Sequence, residues 1–169
     1  MDNPVVVRAV EVARETGLAT LRFNFRGVGG SQGVHDQGRG EEDDVRAALA
    51  VLSSRLGRGA PVALAGHSFG AWVVARVAAA TAEGPPLALI APPLGMFTFD
   101  FLEGYPGGVL LVAGTRDEFC STDDLGRLAK RLAAATTRVI EGGNHLFFGK
   151  LFALGEAVRD WIRSWAGSG

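Results

Sequence analysis

Three short runs constrain the fold of this chain more than any other feature. PVALAGHS, PLALIAPP and GVLLVAGTRD each carry an apolar stretch of strand length that breaks off at a glycine, a proline or a polar pair. Strands that are apolar on both faces sit in sheets covered on both sides, and such sheets are mostly parallel. Parallel neighbours need long crossover connections, usually helices. The intervening segments have that character. FGAWVVARVAAATAEG follows the first run, and DDLGRLAKRLAAA, for which Thr122 is a candidate N-cap, follows the third. TTRVIEGG reads as the last strand and LFFGKLFALGEAVRDWIRSWAG as the last helix.

The N-terminal third extends the alternation. Asn3 suits a helix N-cap, Pro4 the first helical position and Gly17 the end, so a helix is predicted over 4–16. In LATLRFNFRG, residues 18–27, Thr20, Arg22, Asn24 and Arg26 alternate with Leu21, Phe23 and Phe25. Period two predicts a strand. A Gly-rich loop over 27–40 follows. EEDDVRAALAVLSSRLG then has an acidic first turn and ends at Gly57, both of which fit a helix. The expected architecture is one α/β domain over residues 1–169. It is a doubly wound, mostly parallel sheet of about five strands with helices on both faces.

Composition removes several classes of function. With 169 residues, 47% of them apolar and 21% charged, the chain is long enough for one well-filled core. A net charge of −1 gives no bulk attraction to nucleic acid or an anionic membrane. Cys120 is the single cysteine, which excludes an internal disulfide and a cysteine metal cluster. No apolar run has transmembrane length and no secretory leader is readable, so a cytoplasmic location is expected. No cofactor and no metal are expected.

Ligands of open parallel sheets bind at the carboxyl ends of the strands. Of the polar residues just past the predicted strands, Ser68, Asp117 and His145 form a set, in that chain order. Ser68 lies in Gly66-His67-Ser68-Phe69-Gly70, a G-x-S-x-G motif between a predicted strand and a predicted helix, the context in which the motif carries meaning. A serine hydroxyl is a weak nucleophile unless a base takes its proton. The chain has three histidines. His67 adjoins Ser68, where successive side chains diverge, and His35 lies in the Gly-rich loop with no strand to fix it. His145 is left as the base. A carboxylate should orient the imidazole; Asp117 is preferred, with Glu118 and Glu141 as rivals. The plainer alternatives are a helix-capping Ser68 and a loop histidine at 145.

The loop GVGGSQG admits a dinucleotide-binding reading, but its third glycine is misplaced at Gly33, where Gln32 occupies the expected position. It also runs on to Gly40 before the next helix, which spoils the phosphate-on-helix geometry.

Through RFNFRGVGGSQG, LAGHSFGAW, LIAPPLGMFTFDF, GTRDEFC and GGNHLFFGK the chain resembles the α/β-hydrolase superfamily, and more narrowly small bacterial hydrolases related to dienelactone hydrolase. The resemblance implies a serine esterase or thioesterase with Ser68 as nucleophile, His145 as general base, Asp117 as the orienting acid, and the Phe69 N–H in the oxyanion hole. It sets the loop of Arg26, Gly27 and Val28 at the active-site entrance, with Arg26 bracing it. Phe97 is a candidate for the substrate pocket. The absence of a long insertion between 93 and 109 implies no large lid and a small acyl ester as substrate.

The chain departs from the family at its start. Related hydrolases carry further strands and an oxyanion loop before the helix at 4–16. Without them the strand at 18–27 and the one at 61–67 must pair directly, or leave a gap for another chain to fill, which favours a homodimer. Three functional hypotheses follow. They are an active hydrolase on a minimal scaffold, a shortened and weakly active or inactive hydrolase, and a non-enzymatic binding module that keeps the motif.

Overall fold

The computed structural model describes residues 2–57 and 59–166. Helix α1 (Pro4–Glu15) starts where the sequence predicts. The Asn3 side chain accepts the N–H groups of Val5 at 2.9 Å and Val6 at 3.3 Å, and Pro4 occupies the first turn. Helix α2 spans Arg39–Leu56. Strand β1 (Leu64–His67) leads into α3 (Phe69–Ala79), β2 is Leu87–Ile90 and β3 is Val109–Gly114. Helix α4 (Thr122–Ala129), β4 (Ala135–Ile140) and α5 (Leu151–Ala166) complete the chain. The four strands form one parallel sheet in the order β1-β2-β3-β4.

Alternation along β2 and β3 divides the core in two. Leu87, Leu89, Val109, Leu111 and Ala113 join the cluster that includes α3 and α4, with Val73, Val77, Leu125 and Leu128. Ala88, Ile90, Leu110 and Val112 join the opposite cluster with Val5 and Val12 of α1 and Leu154, Val158 and Ile162 of α5. Successive side chains of a strand point to opposite faces, so a run with no polar residue is the only pattern that suits a sheet covered on both sides. Each buried aliphatic side chain contributes roughly 1.5–3 kcal/mol relative to exposure.

The strand expected over 18–27 is not formed, and the sheet has four strands instead of five. Alternation identifies a segment suited to a pleated surface, but a strand exists only with a partner ladder. Its neighbour would be the outer edge of β1. A cavity of about 920 Å³, lined from one side by Leu21 and Phe23 and from the other by Ala63 and Ala65, separates the two. Leu21 and Phe23 consequently remain 37% and 38% exposed. Direct pairing does not occur, and β1 is left as an edge strand among the described residues. The cavity continues to Ser68 and His145 at the carboxyl end of β1.

The turn from β1 to α3 is tight, and its two glycines are not equivalent. A Cβ on Gly66 would lie 2.3 Å from the Gly70 carbonyl oxygen, a backbone atom that cannot move aside. A Cβ on Gly70 would meet only the Phe25 ring at 3.7 Å, an ordinary contact. Gly66→Ala is therefore expected to lower stability by about 1–3 kcal/mol or more, as overpacking does. Gly70→Ala should be neutral or slightly stabilising, because alanine favours the helix by up to about 1 kcal/mol over glycine. Thermal melts of the two variants side by side check this; equal losses would contradict it.

Candidate active site

Ser68 occupies the elbow between β1 and α3 with φ 55° and ψ −126°, in the left-handed half of the backbone map that non-glycine residues rarely visit. Its N–H bonds to the Ile90 carbonyl at 2.9 Å, which ties the strained residue to β2. Its side chain caps nothing in α3, so the helix-cap alternative has no geometric support. The turn projects Oγ to the carboxyl end of the sheet, where it lies 2.8 Å from His145 Nε2.

His145 arrives from the loop after β4. A Cβ on Gly114, at the end of β3, would meet the Gly143 carbonyl oxygen at 2.1 Å, so the two loops pack backbone to backbone. The Arg116 N–H bonds to that carbonyl at 2.9 Å. Asn144 accepts the Phe148 N–H at 3.0 Å, and the fully buried Phe147 anchors the turn. The close approach sets His145 Nδ1 3.0 Å from Asp117 Oδ1 and 3.1 Å from Oδ2.

The Asp117 side chain is fully buried, and Oδ1 also accepts the N–H groups of Phe119 at 2.9 Å and Cys120 at 3.2 Å. An ionised carboxylate accepts hydrogen bonds only, so His145 carries its proton on Nδ1 and offers Nε2 to the serine hydroxyl. The rival acids are elsewhere: Glu118 and Glu141 are exposed, and Glu141 accepts the Thr115 hydroxyl at 3.3 Å. Three residues scattered over the sequence thus form one continuous hydrogen-bonded chain.

The other expected site residues fall in three groups. Phe69 opens α3, and its N–H is one of the first-turn donors that a helix leaves without an intrahelical acceptor. Arg26 turns away from the cavity. Its guanidinium bonds to Asp44 on α2 at 2.9 Å, and its backbone N–H bonds to the same carboxylate at 2.9 Å. That guanidinium holds the Asp44 carboxyl below the usual range, and the pair pins the Gly-rich loop to α2. Gly27 turns the loop at φ 72°, which leaves Val28 to line the cavity, 51% exposed. Phe97 packs on Trp72, with ring centroids 4.6 Å apart, and lies 6.0 Å from Phe69.

Several neighbours of the site had no clear signal in the sequence. The Phe119 ring stands edge-on to His145 at 4.8 Å, and the His67 ring lies tilted to it at 5.0 Å. His35 does have a support, the buried Glu41 carboxylate at 2.8 Å, and its ring lies 5.3 Å from Phe69. The Cys120 thiol is buried, and desolvation pushes it up to about 12, which favours the protonated form at neutral pH. Among the described residues no cluster of histidine, cysteine, aspartate or glutamate could hold a metal ion, and no helix is long and apolar enough to cross a membrane.

No family model matches the chain. A candidate α/β hydrolase of unknown function from Agrobacterium tumefaciens is similar over 99% of this chain and 80% of its own, with a TM-score of 0.92 and 32% identity. A protein from Xanthomonas campestris, described as a member of the α/β serine hydrolases without a lid, is 36% identical. That match covers 98% of this chain and 75% of the other, with a TM-score of 0.85. An uncharacterised protein of Rickettsia prowazekii is 33% identical over 96% of this chain and 72% of its own length. None of the three is named as a dienelactone hydrolase.

Proposed function

The chain belongs to the α/β-hydrolase superfamily and is a hydrolase, and from that premise we propose that it cleaves small carboxylic esters through an acyl-serine intermediate. The observation that carries the proposal is the hydrogen-bonded chain Ser68 Oγ to His145 Nε2 at 2.8 Å and His145 Nδ1 to Asp117 at 3.0 Å. In this reading Ser68 Oγ attacks the ester carbonyl carbon while His145 Nε2 takes its proton. Asp117 stabilises the imidazolium and keeps the ring in one orientation. The negative charge on the former carbonyl oxygen meets the Phe69 N–H. Collapse breaks the bond to the alkoxy oxygen, which leaves as the alcohol with the proton from His145. Water then repeats the sequence on the acyl-serine, giving the acid and free Ser68.

The substrate class rests on the approach to Ser68. Residues 91–108 between β2 and β3 contain one short 3₁₀ turn, Asp100–Leu102, and no helix that could close over the site. Much of that segment is occupied in packing: Phe99 and Leu102 are buried, and Tyr105 donates to the Pro85 carbonyl. An open site suits small acyl groups, which need little enclosure. A fluorophosphonate probe tests the proposal. Mass spectrometry is expected to find one phosphonyl adduct, on Ser68, formed quickly in the native protein and not after denaturation. A native protein left unlabelled at Ser68 would falsify the assignment.

A further inference from the structure

His67, set aside as a base because it adjoins the nucleophile, has a different and better defined environment. Its Nε2 lies 2.8 Å from the backbone carbonyl oxygen of His145, and its Nδ1 lies 3.2 Å from Nδ2 of Asn3. Both partners dictate the proton position. A carbonyl oxygen only accepts, so Nε2 carries hydrogen. The Asn3 amide is oriented by its own work as helix cap. Oδ1 accepts the Val5 and Val6 N–H groups, which turns the donating Nδ2 toward His67. Nδ1 must then be the acceptor. The ring is held as the neutral Nε2–H tautomer, the opposite of the one that Asp117 imposes on His145.

From this geometry we infer that His67 is a positioning residue, which fixes the backbone of the His145 loop against the capped start of α1. The inference rests on the reading of His145 as the base. Three elements meet at this ring: the end of β1 that carries the nucleophile, the loop that carries the base, and the N-terminus of α1. The His145 side chain is held at Nδ1 by Asp117, but a side chain is located only as well as its backbone. The His67 bond fixes the carbonyl of that same residue. Burial lowers the His67 pKa, which favours the neutral form the two bonds require. A neutral ring there also avoids a second positive charge beside the imidazolium that His145 becomes during turnover.

Two measurements test this, one independent of activity. Nitrogen–proton correlation spectra of the histidine rings in the whole protein are expected to show His67 as the Nε2–H tautomer at neutral pH. An Nδ1–H tautomer or an imidazolium there overturns the inference. In kinetics, His67→Phe keeps a ring of similar size and removes the donor. It is expected to lower kcat per fluorophosphonate-labelled site roughly 10- to 100-fold with KM little changed, as small misplacements of a catalytic group do. His67→Gln, which restores an amide N–H at a similar reach, should recover most of that loss. Wild-type kcat per labelled site in His67→Phe, or no recovery in His67→Gln, contradicts a positioning role. If His67→Phe fails to fold, the tautomer in the wild-type protein decides. Failure of the hydrolase reading itself is seen separately, as absence of label on wild-type Ser68.

Discussion

On the proposed acyl-serine mechanism, Ser68→Ala is expected to reduce ester hydrolysis by about 10⁶ in kcat, the scale of loss when the nucleophile of a serine hydrolase is removed. The size of the effect follows from what stays behind. His145 and Asp117 keep their mutual bond, but no hydroxyl remains to attack the carbonyl or to form the ester intermediate. Any residual rate comes from polarisation of the carbonyl and from binding alone. The substitution is also a clean one. The Ser68 side chain makes no cap contact with α3, so its removal withdraws no support from the helix. Alanine is no worse suited than serine to φ 55°, and the backbone bond to Ile90 is unchanged. Thermal stability should therefore stay within about 0.5 kcal/mol of the parent, as for substitutions that disturb neither packing nor a cap. Hydrolysis of a p-nitrophenyl ester, followed beside a melt of the same preparation, reads both quantities. Unchanged turnover in a folded variant removes Ser68 from the mechanism.

The parts of this molecule that could be read from sequence are those set by local chemistry. The cap at Asn3 and the apolar runs of β2 and β3 each act within a few residues, and each has its expected form. That Ser68, Asp117 and His145 meet in one hydrogen-bonded chain follows from the sheet topology, since a parallel sheet brings the carboxyl ends of its strands to one edge. The parts that were not readable depend on partners distant in sequence. The alternation in residues 18–27 is real, but a ladder needs a second strand at the right distance, and the segment alone does not say whether one is there. Gly66 and Gly70 look alike in the motif; only the approach of the Gly70 carbonyl to Gly66 separates them. The sequence shows only that His67 adjoins Ser68; its contacts, with Asn3 and the His145 carbonyl, lie 64 and 78 residues away.

Asp117→Asn should cost about 10⁴ in kcat near neutral pH while leaving the fold intact, because it reverses a proton rather than removing a contact. Asparagine can keep the two bonds that shape the turn, with its carbonyl oxygen accepting the Phe119 and Cys120 N–H groups in place of Asp117 Oδ1. Its other end then becomes an NH₂ group facing His145 Nδ1. A donor there cannot meet an N–H, so the imidazole moves its proton to Nε2. That nitrogen now points a hydrogen at Ser68 Oγ, where the proposed reaction needs a lone pair. The negative charge that would have stabilised the imidazolium is lost as well. The expected signature is a large fall in kcat, an unchanged melting temperature, and a His145 ring that spectra of the histidine nitrogens report as Nε2–H. Glu118→Gln and Glu141→Gln provide the comparison, since both residues are exposed and neither touches His145. Each should stay within about twofold of the parent, the scale of ordinary surface changes. A loss at either of them as large as that at Asp117 would move the orienting carboxylate to a different residue.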